Sequence, residues 1–116
     1  MSGHGKREAA LLADAVAWRD RVIDDVRGEG RNGARAHEVS IDVVIAGAEI
    51  IAAYMAAGES EISRTSLKQS GVRSVPLIRG RQMQRLLLYL IDRGHVERTN
   101  DRDLIRPVRG DEMPLR

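Results

Sequence analysis

The stretch LIRGRQMQRLLLYLIDRGHVERTNDRDLIRPV, residues 77–108, changes its apolar period once, and that change decides the fold class. Met83, Leu86, Leu87, Leu90 and Ile91 recur at spacings of three and four, which predicts a helix over 77–93 with one apolar stripe. Gly94 is the natural left-handed residue after such a helix. Residues 95–98, 99–103 and 104–108 then read as strand, turn and strand, with Pro107 suited to an edge or a strand end. At about 100° per residue, Arg81 and Arg85 fall near the middle of the face opposite the stripe, one turn apart. Leu88 and Tyr89 point away from the stripe and are expected at the surface or against a partner subunit.

Upstream, Ser63 is placed to cap a brief helix reaching about Ser70, and residues 71–76 read as a turn. A further helix runs from the cap at Ser40 to about Ala57, closed by Gly58. Only Asp42 and Glu49 interrupt its apolar surface, so it must be covered on more than one side, as a central core helix or half of a dimer seam. Gly47 in its middle costs about 1 kcal/mol relative to alanine, which points to close approach by another backbone. Residues 5–27 form an amphipathic helix through Leu11, Ala15, Trp18, Val22 and Val26, with Trp18 in the core or in a dimer seam. Gly28 to Gly33 stops it as a flexible connection. The expected organisation is an N-terminal helical and dimerisation region over 1–58, a second region over 59–108 and a flexible tail over 109–116.

The chain of 116 residues has a formal net charge of +2, but the charge is segregated. Residues 1–60 carry seven basic and ten acidic side chains, a net of −3; residues 61–116 carry twelve and seven, a net of +5. Between Ile62 and Ile91 stand six cations, Arg64, Lys68, Arg73, Arg79, Arg81 and Arg85, with no carboxylate among them. All but two of the nineteen cations are arginine, whose planar fork suits phosphates and base edges. There is no cysteine, which removes disulfide scaffolds, thiolate zinc sites and cysteine nucleophiles together. No window approaches the roughly 18 apolar residues of a membrane span. A cytoplasmic or nucleoid-associated protein is expected.

A short helix beginning at Ser63, a turn, a longer helix with an outer cationic face and a small β-hairpin follow one another in the order of a winged helix-turn-helix. The resemblance rests on Ile62-Ser63-Arg64-Thr65-Ser66-Leu67 and, later, on Leu87, Leu90, Arg93, Gly94 and Val96 in the phrase LLLYLIDRGHV. It is similar to small phage and plasmid regulators and to the winged-helix module at the C-terminal end of primase-helicase proteins. The resemblance implies a mainly α fold with a small β-hairpin wing and an N-terminal helical extension. It also implies double-stranded DNA binding by the helix around Arg81, transcription regulation of phage or plasmid type, and a homodimer. Groove geometry supplies the reason, since a helix fits the major groove and a hairpin lies along the neighbouring backbone. Arg81, Gln82 and Arg85 are then the candidates for base edges, and Arg79 lies in the same helical half. Arg64, Lys68 and Arg73, with Arg102 in the wing, are the phosphate anchors. Two departures stand out: residues 71–76 are long for a tight helix-turn-helix turn, and Glu97, Asp101 and Asp103 in the wing would repel phosphate.

Other constellations fail on context. Gly28 to Gly33 spells G-x-G-x-x-G but follows a helix instead of a strand. His4, His37 and His95 have no metal-ligand spacing and read as surface or capping residues, while Asn100, Asp101 and Asp103 read as turn formers. Neither cofactor nor catalytic site is expected, and three aromatic residues are too few for a base-stacking single-strand binder. The alternative is a winged-helix module that docks on an acidic protein of replication or defence. A further variant is a replication-initiation accessory that prefers origins or forked DNA.

Overall fold

The computed structural model describes residues 2–74 and 80–109, with side chains described over 5–70 and 81–109. Five helices and three strands follow one another among these residues: α1 (Ser2–Arg27), α2 (Arg31–Ala36), α3 (Ile41–Ala56), β1 (Ile62–Ser63), α4 (Arg64–Ser74), α5 (Gly80–Asp92), β2 (Val96–Arg98) and β3 (Leu104–Pro107). The architecture is mainly helical with a small antiparallel sheet in the order β1-β3-β2. Ile62 stands opposite Ile105, and Val96 opposite Pro107, so the expected hairpin gains a third, two-residue strand that sequence periodicity could not show. A proline at the end of the central strand costs the ladder little there.

The core is built around α3. Ser40 stays extended and its Oγ accepts from the Val43 amide at 3.2 Å, which sets the start of the helix. Val43, Val44, Gly47, Ala48, Ile51, Ala52 and Met55 are all buried, as a helix apolar on most of its circumference requires. Along it lies α1, whose Ala15, Trp18, Val22 and Val26 enter the same core as Leu67 of α4 and Met83, Leu86, Leu87 and Leu90 of α5. Thus Trp18 is a core residue. A Cβ on Gly47 would overlap the Leu86 side chain, so the close approach is made by a side chain and not by a backbone.

Three helices end in the same way. In α3 the Glu59 amide bonds to Tyr54 O and the Gly58 amide to Met55 O; in α5 the His95 amide bonds to Leu90 O and the Gly94 amide to Ile91 O. In α2 the Val39 amide bonds to Ala34 O at 3.1 Å and the Glu38 amide to Arg35 O at 3.0 Å. Each pair is a Schellman closure, which requires a left-handed residue. Gly58 (φ +94°) and Gly94 (φ +77°) supply it for α3 and α5, whereas α2 uses Glu38 (φ +56°), the one non-glycine residue with positive φ among the described residues.

Four expectations are corrected. Gly28 to Gly33 is a turn followed by α2, because Gly30 lets the chain pass against the Tyr89 hydroxyl and the Asp25 carbonyl. Gly71 to Ser74 belong to α4, while Val75 and Pro76 and the first residues expected of the next helix, Leu77 to Arg79, lie outside the described residues. Tyr89 is buried, since α2 covers the flank of α5 that periodicity alone leaves open. His95 is likewise buried, 3% exposed, and not a surface histidine. Of the expected tail, 110–116 lie outside the described residues. Among the described residues no helix is long and apolar enough to cross a membrane.

Candidate nucleic-acid interface

The direction in which α5 faces is set by its C-terminal end. Asp25 of α1 accepts two hydrogen bonds from the Arg93 guanidinium, the one from Nε at 2.9 Å, and lies 2.6 Å from His95 Nε2. The Trp18 indole donates to the His95 carbonyl at 2.9 Å, as does the Val108 amide, and Arg21 donates to the Val108 carbonyl. Tyr89 Oη donates to Gly30 O at 3.3 Å. These bonds fasten α1 and the start of α2 to one flank of α5 and to the root of the β2–β3 hairpin.

Burial and charge oppose one another in this joint. Burial raises the Asp25 carboxyl, but the hydrogen bonds and positive charge of Arg93 and His95 outweigh it and hold the group below its ordinary range. Burial pushes His95 down, against the pull of Asp25, so its neutral form donates from Nε2. His95 Nδ1 has no hydrogen-bond partner among the described residues. Burial, with the Asp25 charge, pushes the Tyr89 hydroxyl up to about 12.

With that flank closed, the solvent face of α5 is the stripe Arg81, Gln84, Leu88 and Asp92. Arg81 is exposed as expected. Arg85 sits at the margin of the stripe, where it pairs at 2.9 Å with Glu38 from the α2–α3 junction. Gln82 lies half-buried on the side of the helix, and its Oε1 is buried without a partner among the described residues. The exposed glutamine of α5 is Gln84, about 60° from Arg81 on the same face.

On α4, Lys68 is exposed and Arg64 half-exposed, with the Arg64 Nε buried and without a partner among the described residues. The side chain of Arg73 and the whole of Arg79 lie outside the described residues. Arg102 is exposed on the turn between β2 and β3.

The acids expected to repel phosphate are engaged within the fold. Asp103 Oδ1 accepts from the Thr65 amide at 3.1 Å and from its hydroxyl at 2.8 Å, while Oδ2 accepts from Ser63 Oγ at 2.5 Å. The turn between β2 and β3 thereby caps α4, and Ser63 Oγ in turn accepts from the Ser66 amide at 3.2 Å. The Ser63 and Thr65 bonds hold the Asp103 carboxyl below its ordinary range. Asp101 accepts from the Asp103 amide at 2.9 Å, as a turn former does, and Glu97 pairs with Arg106.

Neither α4 nor α5 has a carboxylate in its first turn, and each carries a cation there, Arg64 and Arg81. That sign opposes the helix dipole, which favours anions at an N-terminus by about 0.3–1 kcal/mol. At α4 the capping Asp103 carboxylate offsets this, whereas α5 has no such acid in its first turn and the Arg81 charge is unfavourable for its helix. No group of three or more histidines and carboxylates that could hold a metal occurs among the described residues. Comparisons with protein-family models, with curated proteins and with solved structures find no match to this chain.

Proposed function

We propose that this protein is a winged helix-turn-helix that binds double-stranded DNA in a sequence-specific way, with the N-terminal half of α5 in the major groove and the β2–β3 hairpin beside the adjacent backbone. The observation that carries this reading is the exposed Arg81, unfavourably placed on the first turn of α5, on a stretch with no carboxylate from Ile62 to Ile91. A charge that opposes its own helix dipole is explained by a partner that is itself an array of anions. The element order from α3 to β3, with the sheet order β1-β3-β2, supports the winged-helix reading. Arg81 and Gln84 are the base-reading candidates, as donors to guanine and to adenine, and Lys68 and Arg102 are the phosphate contacts.

By resemblance, the protein acts as a homodimeric transcription regulator of phage or plasmid type. Two half-sites then lie about 34–36 Å or a multiple of it apart. The test is titration of random and selected duplexes across a salt series, with the mass of the free protein measured alongside. Lys68→Ala is expected to weaken binding to every sequence and to lower the salt slope by about one, while Arg81→Ala abolishes sequence preference. Equal behaviour of the two variants overturns the division of roles. The exposed Leu88 within the cationic face favours a second reading, docking on an acidic protein, and absence of duplex binding at low salt would select it.

A further inference from the structure

We infer that Glu38 is an internal competitor for the DNA phosphate: its carboxylate occupies the guanidinium of Arg85 and so limits how much of the cationic face is offered to any duplex. The inference rests on the proposed DNA reading and adds to it a residue from outside the DNA-facing helices.

Three observations carry it. Glu38 reaches across from the α2–α3 junction to Arg85 at 2.9 Å, with 71% of its own side chain exposed against 31% for Arg85. The carboxylate thus stands in solvent at the margin of the α5 outer face, where a backbone phosphate approaching Arg85 would meet it. The backbone beneath it is left-handed, in the position where α3 and α5 use glycine. Strain of this kind persists where the residue serves something other than the fold. Finally, the region from Ile62 to Ile91 holds no acid and Asp92, on the same stripe, stands about two turns beyond Arg85, so the carboxylate that pairs with Arg85 is brought in from the N-terminal half.

An exposed arginine–carboxylate pair is weak and opens readily in water. Glu38 therefore tunes affinity and does not block it. A phosphate that takes Arg85 must displace the carboxylate and then sit beside it, so Arg85 releases less than a full counterion's worth of binding.

The experiment is a salt titration of the full chain on a random-sequence duplex, comparing wild type with Glu38→Gln and Glu38→Gly. Glutamine removes the charge at constant shape, and glycine removes the side chain where glycine is the natural residue, so at least one variant keeps the fold. Both are expected to bind more tightly than wild type with a salt slope steeper by up to about one, so that their advantage grows by up to about fourfold between 200 and 50 mM salt. In an Arg85→Ala background the same substitutions are expected to leave the slope unchanged. Slopes equal to wild type in both variants, or a steeper slope that persists without Arg85, overturn the inference and leave the DNA reading standing. Absence of salt-dependent duplex binding by the wild type overturns both.

Discussion

The two sides of α5 use the same kind of residue for opposite purposes. On the covered side, Arg93 is held by Asp25, and the neighbouring His95 shares that carboxylate under a roof made by Trp18. On the open side, Arg81 stands in solvent on the first turn, and the acid that pairs with Arg85 at its margin, Glu38, comes from another part of the chain. An arginine with a half-buried carboxylate partner is structural, and the same residue facing water with the helix dipole against it is free to serve a partner. The difference teaches that charge composition is not enough; the partner of each charge decides its role.

The largest expected effect tests the covered side. Asp25→Ala leaves the Arg93 guanidinium and His95 without their acceptor, and is expected to destabilise the protein by about 2–3 kcal/mol. Chemical denaturation checks it, and a change under about 0.5 kcal/mol would break the comparison by showing the joint to be ornamental.

An intermediate effect comes from pH. The folded pKa of His95 lies below its ordinary 6.5, so the unfolded chain binds the proton more readily. Stability is therefore full above about pH 6.5 and falls as the pH drops from there toward the folded value, with a slope of at most about 1.4 kcal/mol per pH unit. The Asp25 carboxyl, held below 3.8 by Arg93 and His95, adds a further loss only in stronger acid. Stability measured from pH 8 to 5 is expected to decline in wild type and to flatten in His95→Gln. Equal declines would assign the slope to other groups.

The smallest effect sharpens the contrast on the open side. Arg81→Ala and Gln84→Ala are expected to change stability by less than about 0.5 kcal/mol, because both side chains are exposed and neither is paired among the described residues. A loss as large as that of Asp25→Ala would move both residues from partner recognition into the architecture.

Much of this was legible in the sequence. Ser40, Gly58 and Gly94 mark helix ends through local chemistry, and the apolar stripe from Met83 to Leu90 follows from spacing alone. What escaped depends on contacts distant in sequence. Tyr89 reads as a surface residue until α2 is seen to cover it, and nothing around Asp25 announces partners 68 and 70 residues away. Asp103 reads as a phosphate-repelling acid of the wing, because its role as a cap for α4 requires the pairing of β1 with β3. On the candidate face, the exposure of Arg81 was legible, while Gln82 is half-buried beside the exposed Gln84. The helical angle separates it from Gln84, but only burial shows which angles face water.

Trp18, the single tryptophan, is 1% exposed and donates its indole N–H to the His95 carbonyl, at the joint and on none of the surfaces proposed to meet DNA. The molecule thus contains a fluorophore dedicated to one event. Its emission should report the docking of α1 and the protonation of its histidine neighbour while staying silent when a duplex arrives. Folding and recognition are therefore optically separable in the unlabelled protein.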